Sequence, residues 1–305
     1  VAAGTTTADG WASELAQYTY MASEFIEFLR PQTIIGKIPG LRRVPFNITL
    51  PLQDSGSSVG WVGEGAQKPV SKLHFDTVNF RFAKAAGIVV LTDELIRFSN
   101  PSAEALVRTD LAAAIAQFLD EQFIDPSIIA VSNVSPASIT NGAGHVAASG
   151  TTATDFRTDL GDALTQMVNA NVDPSGMHIV MQPTLAVALS LLRNALGQKE
   201  FEGITASGGT IEGYPVVTSK SVPVGGVVFV KASEILVADE GGINLDASTE
   251  ASLVMDDGVS PAGSTLVSLW QKNMVALRAE RIINWARRRN AAVFYITAAG
   301  YGGAS

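Results

Sequence analysis

The sequence predicts an α+β chain of two lobes or of one domain with large excursions, and three observations carry that expectation. The chain has 305 residues, more than the roughly 100 to 150 of a typical single-core domain, so two lobes or one domain with large excursions are required. An extended, alternating stretch runs from Arg43 to Leu91. It is followed by one long helical pattern and then by short apolar runs that alternate with further helical patterns.

Along the chain, Val1 to Thr7 is small and polar and precedes a helical pattern with Leu15, Tyr18, Ala22, Phe25, Ile26 and Leu29 on one side, closed by Pro31. This reads as an arm carrying one helix. From Arg43 to Leu91, Pro45 and Pro51 punctuate the chain, Gly60, Gly63 and Gly65 break it, and Val78, Phe80 and Phe82 alternate with Asn79 and Arg81. A two-stranded excursion with a glycine-rich tip accounts for this pattern. Asn100-Pro101 then supplies an N-cap residue and a proline at the first helical position, ahead of Leu106, Leu111, Ile115, Phe118, Leu119 and Phe123. The helix must end before Pro126.

Ala130 to Thr154 contains no Asp, Glu, Lys or Arg and is rich in Ala, Ser, Gly and Thr, so it is expected to be a loop. A helix from about Asp155 to Asn169, a strand at His178 to Met181 and a helix opened by Pro183 follow. Tyr214 to Thr218, Gly226 to Val230, Glu234 to Ala238 and Ser252 to Met255 read as strands, and Leu266 to Trp285 as one long extended segment. No internal repeat is present.

Composition narrows the class. Charged residues make up 16% of the chain and hydrophobic ones 47%, with a mean hydropathy of +0.23, against about 25% charged for an ordinary soluble domain. The longest apolar stretch, Ala83 to Leu91, is interrupted by Lys84 and falls far below the roughly 18 apolar residues of a spanning helix. Extensive contact between subunits is therefore the expected place for the surplus apolar surface. The net charge of −8 excludes a basic coat for nucleic acid, and the only basic run is Arg287, Arg288 and Arg289. With no cysteine, disulfides, thiolate zinc sites and cysteine nucleophiles are excluded. The sequence begins at Val1 without a methionine or a signal-peptide pattern, which fits either trimming or removal of an upstream segment by a protease.

Four segments, in order, resemble the Hong Kong 97-type family of phage capsid proteins. They are Gly60-Trp61-Val62-Gly63-Glu64-Gly65-Ala66-Gln67-Lys68-Pro69, the long helix after Asn100-Pro101, Gly213-Tyr214-Pro215-Val216-Val217, and Asn273-Met274-Val275-Ala276-Leu277-Arg278-Ala279-Glu280-Arg281. The resemblance spans almost the whole chain. It implies an N-terminal arm at 1–41, an extended E-loop at 42–90, and a P-domain at 91–175 whose spine helix occupies 101–124. It further implies an A-domain at 176–257 and a return to the P-domain at 258–305. It implies a virion protein, assembled in the bacterial host cytoplasm into hexamers and pentamers of an icosahedral head. That head would enclose double-stranded DNA without sequence-specific binding. Its partners would be copies of itself, a portal and, where one binds, a decoration protein, with no cofactor, no metal and no membrane. An upstream scaffolding segment clipped during maturation would fit the start at Val1.

In the family's founding member, an E-loop lysine attacks an asparagine on a neighbouring P-domain with a glutamate assisting. The resemblance maps these roles onto Lys68, Asn273 and Glu280. The residue types suit the reaction, because a neutral lysine amine is a nucleophile, a carboxamide can lose ammonia, and a carboxylate can shuttle the proton. Pro69 biases Lys68 towards extended backbone. If Asn273 and Glu280 share one strand, seven residues at about 3.3 Å each separate them by roughly 23 Å on opposite faces. The three residues would then converge from different subunits. The same residues also fit a structural reading: Lys68 as a solvated loop lysine, Asn273 as a polar strand residue, and Glu280 as partner of Arg278 or Arg281 in a surface pair.

Other candidates have less pattern behind them. His74, His145 and His178 are far apart, with no HExxH and no companion cluster, so they do not form a metal motif. Gly203 to Gly213 lacks the GxxxxGK[ST] pattern and reads as a turn-rich loop. Asn47-Ile48-Thr49 and Asn133-Val134-Ser135 carry no glycosylation signal for a protein made in bacterial cytoplasm. Trp11, Trp61, Trp270 and Trp285 read as core or contact anchors. Arg287 to Arg289 would face packaged DNA or an acidic patch on a neighbour, with the neighbour favoured because a closed lattice needs charge complementarity. Two rival functions stand beside the shell subunit. An encapsulin-type nanocompartment shell shares the fold and would hold enzymes in place of DNA. A soluble α+β hydrolase would need a nucleophile with a matched base, and no spacing in the chain supplies one.

Overall fold

The computed structural model describes residues 33–53, 61–62, 64, 67, 75–98, 102–194, 196–240, 244–255 and 266–303. The helical pattern at Leu15 to Leu29, the cap at Asn100-Pro101, His74 and Lys68 lie outside the described residues. The described chain forms two compact units, one holding Lys84–Asp120 and Glu240–Ile282, the other Ile34–Ala83, Glu121–Asp239 and Ile283 onward.

The described elements run, in chain order, as α1 (Ile34–Lys37), β1 (Arg42–Arg43), β2 (Ile48–Gln53), β3 (Phe75–Phe80), β4 (Lys84–Thr92), α2 (Asp93–Phe98) and α3 (Ser102–Ile124). Next come β5 (Gly144–Ala147), α4 (Ala153–Asn169), β6 (Met177–Met181), α5 (Pro183–Leu191), β7 (Ile204–Thr205), β8 (Gly208–Ile211) and β9 (Tyr214–Thr218). The chain continues through β10 (Val227–Lys231), β11 (Ile235–Asp239), β12 (Asn244–Ser248), β13 (Ser252–Val254), β14 (Leu266–Ser268), β15 (Met274–Arg287) and β16 (Val293–Thr297).

The larger unit is built on a seven-stranded sheet in the order β5-β16-β10-β6-β9-β8-β7. Every residue of β6 and the first four of β10 are buried, as in strands covered on both faces, and of these residues all but His178 are apolar. Helix α4 presents Phe156, Leu160, Ala163 and Met167 to this core at steps of three and four. A capping box starts it: Thr152 accepts from the Asp155 N–H, and the Asp155 carboxylate accepts from the Thr152 N–H at 2.8 Å. Helix α5 starts on Pro183, whose fixed φ and missing N–H suit the first turn. Tyr301 is pinned into the same core. The Tyr301 hydroxyl donates to buried Asp159, which also accepts from Ser149 Oγ at 2.7 Å and from the Ser149 N–H. A second small core in this unit joins Phe80, Leu236 and Ala238 to Val44, Phe46, Ile48 and Ala286 beneath the antiparallel β2–β3 pair.

In the smaller unit, residues 274–282 of β15 pair antiparallel with β4 on one side, and residues 276–280 pair with β12 on the other. Helix α3 buries Val107, Leu111, Ile115 and Leu119 at steps of four. Gly87 admits that helix closely, since a Cβ there would lie 3.2 Å from Leu111 Cδ1. The other face of β4 leaves Lys84, Ala86 and Ile88 exposed.

Three sequence expectations need correction. Leu266 to Trp285 is not one extended segment: a 3-10 turn at Trp270–Lys272 and Asn273 at φ 48 break it before β15 begins. Asparagine tolerates this left-handed backbone because its short polar side chain bonds locally. The uncharged Ala130–Thr154 stretch is not loop throughout, since β5 adds to the sheet edge by parallel pairing with β16, a partner about 150 residues away and invisible to local pattern. Gly203–Gly213 contains the β7–β8 hairpin, in which a Cβ on Gly209 (φ 142) would collide with the Gly203 carbonyl oxygen. The seven-stranded sheet draws strands from the segments expected at 91–175, 176–257 and 258–305 alike.

Candidate functional site

Antiparallel pairing positions Glu280. On β15 it stands opposite Ala86 of β4 and Asn244 of β12, so its side chain shares a face with those at 278 and 282 and with Lys84 and Ile88 across the ladder. Glu280 Oε1 lies 3.3 Å from Lys84 Nζ and 3.6 Å from Arg278 Nε. Arg278 in turn donates from Nη2 to Asp246 Oδ2 at 2.8 Å. The Asp246 hydrogen bond, with the nearby Glu280 charge, holds the Arg278 guanidinium above its ordinary value. The result is a solvent-facing row of alternating charge, Lys84, Glu280, Arg278 and Asp246, whose pairs are screened and add little to monomer stability.

Asn273 occupies a different setting. It caps the 3-10 turn, is exposed, and its carbonyl accepts from the Asp93 N–H at 2.8 Å. The strand begins one residue later, so the opposite-face argument does not reach Asn273, while the separation does. Met274 to Glu280 is six steps of about 3.3 Å, roughly 20 Å along β15. One chain does not bring Asn273 and Glu280 to a common point.

Of the remaining candidates, Trp11 and His74 lie outside the described residues. His145 stacks on Tyr295 with ring centroids 5.0 Å apart. His178 is buried on β6 with Nδ1 unpartnered, and burial holds its imidazole below the usual value. No group of three His, Cys, Asp or Glu able to hold a metal occurs among the described residues. None of the described helices is long and apolar enough to cross a membrane. Trp285 is buried edge-on against Phe123 at 5.3 Å, whereas Trp61 and Trp270 are exposed. The basic run is engaged by its own chain: Arg287 Nη2 donates to the Asn141 carbonyl at 2.6 Å, Arg289 Nη1 to the Asn171 carbonyl at 2.9 Å, and Arg288 lies 3.5 Å from Glu234.

Solved structures define the fold. A chain from Mycobacterium phage Adephagia matches 95% of this chain and 98% of its own length with a TM-score of 0.69 at 17% identity. A structure described as the capsid of an empty GTA particle matches 89% of this chain and 91% of its own with a TM-score of 0.61 at 16% identity. The fold is thus the Hong Kong 97-type capsid fold. In sequence, the chain is 47% identical over its whole length to the capsid polyprotein of Pseudomonas phage PAJU2, and 26% identical, over 84% of its length, to the major capsid protein of Klebsiella oxytoca phage phiKO2. It spans 48% and 61% of those two relatives. A family model described as the phage capsid family matches residues 21–298, and the chain belongs to that family.

Proposed function

We propose that the chain is the shell-forming part of a phage major capsid protein, assembling into hexamers and pentamers of an icosahedral head around double-stranded DNA. The observation that carries this reading is the family match over residues 21–298 together with 47% identity to a capsid polyprotein. In this reading the β2–β3 pair and the residues between them form the E-loop of 42–90, and α3 is the spine helix. Portal and decoration proteins are partners of the assembled head, which forms in the host cytoplasm. Negative-stain microscopy tests the reading: closed shells are the expected result, and a chain that stays monomeric at every concentration would contradict it.

Stapling by isopeptide bonds is the finer part of the proposal. Lys68 Nζ, once deprotonated, attacks Asn273 Cγ, the new amide forms, and ammonia leaves, with Glu280 carrying the proton between them. Asn273 is exposed at the left-handed end of a 3-10 turn, which suits an acceptor that a neighbour must reach. The roughly 20 Å between Met274, the residue after Asn273, and Glu280 in one chain makes the site composite, so the reaction awaits assembly. Particles boiled in detergent should give a ladder or material too large to enter a denaturing gel, and Lys68→Ala, Asn273→Asp and Glu280→Ala should each restore the 32.0 kDa band. A single 32.0 kDa band from mature unsubstituted particles would remove the stapling.

A further inference from the structure

The uncharged stretch 130–139, to which the shell reading assigns no role, walls one side of a cavity of about 700 Å³ lying wholly within the larger unit. The opposite wall is Arg81–Ala83 with Asn284–Arg287. Hydrogen bonds fix these walls. Trp285 Nε1 donates to the Ala137 carbonyl at 2.8 Å, Asn284 Nδ2 to the Arg81 carbonyl at 2.6 Å, and Arg81 Nη1 to Asn133 Oδ1 at 2.6 Å. Asn133 sits at φ 61 on a tight turn closed by the Val131 N–H and the Ser135 carbonyl at 3.0 Å. The cavity is therefore preformed, and a ligand entering it has little backbone to order.

Two properties of the lining define what fits. In a chain of net charge −8, the lining carries Arg81 and Arg287 and no Asp or Glu. Arg287 Nη2 is paired with the Asn141 carbonyl, but Nη1 is shielded from solvent without a partner. Two guanidinium groups with no carboxylate among the lining residues favour an anion, and a carboxylate matches guanidinium geometry. The rim is apolar: Phe82, Val131 and Val134 are 63%, 49% and 63% exposed. Large apolar side chains gathered around one cavity mark a protein contact, whereas isolated ones do not.

We propose that this cavity is a socket for a second copy of the chain, which inserts a carboxylate side chain against Arg287 and Arg81 and lays apolar atoms on Phe82, Val131 and Val134. The inference rests on the shell reading. The chain's acidic surplus, 29 Asp and Glu against 21 Lys and Arg, supplies the inserted group. A DNA backbone would need a track of cations, and the two arginines within an apolar rim favour a protein carboxylate.

The test uses Arg81→Lys in the full-length protein, assembled from a mixture of 14N- and 15N-labelled copies. A zero-length carbodiimide then couples the new amine to any carboxylate it touches. The expected product is a mixed-label peptide pair joining position 81 to an Asp or Glu, present in shells and absent from dissociated subunits. A second variant, Val134→Glu, places a carboxylate at the socket's rim in cis. It should remove the mixed-label pair and lower shell yield while leaving the thermal midpoint of the subunit unchanged. Shells that form normally without a mixed-label pair overturn the socket and leave the shell reading intact, and coupling of position 81 to DNA under formaldehyde in its place assigns the cavity to phosphate. If the unsubstituted protein forms no shells, both readings fall.

Discussion

The seven-stranded sheet and the β4–β15–β12 ladder handle burial in opposite ways. In the sheet, β6 and β10 are covered on both faces, and Phe229, Ile179 and Val227 are wholly buried. In the ladder, one face of β4 carries exposed Lys84, Ala86 and Ile88, and the edge strand β12 is exposed along its length. The uncovered edge exposes Leu245, with the paired Asp246 and Arg278 beside it. The sheet completes its core within one chain; the ladder keeps its outer face and its edge exposed. Stability should therefore be concentrated in the sheet, and assembly should depend on the ladder and the socket.

Substitutions can break or sharpen this contrast. The largest effect is expected for Phe229→Ala, which empties the centre of the sheet and should cost about 3–5 kcal/mol in urea unfolding. Tyr301→Phe should cost about 1–3 kcal/mol, because buried Asp159 loses one donor and keeps Ser149. Thr152→Ala removes one half of the capping box and should cost about 1 kcal/mol.

A smaller, pH-dependent effect belongs to His178. Burial depresses its folded pKa below the ordinary value of 6.5, so the unfolded chain takes up the proton first. The contribution is fully present above about pH 6.5 and is lost as pH falls through the depressed value. Between pH 7 and pH 5 the urea midpoint of the unsubstituted chain should drop further than that of His178→Asn, and equal drops would contradict the assignment. The smallest effect is expected at Lys84→Ala, which should leave the urea midpoint of the subunit unchanged because the pair with Glu280 is exposed. A clear loss there would mean that the ladder face contributes to the monomer after all.

The contrast also explains what the sequence made legible. The strand patterns at His178 to Met181 and Gly226 to Val230, a proline at 183 and the stop before Pro126 are local signals, and each marks an element that the structure contains. Edge strand β5 has no local signal, since its pairing with β16 is parallel and distant. The break at Asn273 had a faint one: asparagine ahead of an apolar run can adopt the left-handed backbone that ends a turn. Lys84 was legible only as an interruption of an apolar stretch, and its place beside Glu280 follows from a register that joins residues 196 positions apart. The socket was unreadable for the same reason, because Arg81, Ala137 and Arg287 meet through tertiary contacts alone.

Hydrogen exchange on assembled particles and on dissociated subunits tests the division most directly. Amides of β6 and β10 should be equally protected in both, while those of β12 and of the 130–139 wall should gain protection only in particles. Equal exchange of β12 and 130–139 in the two states would contradict the account.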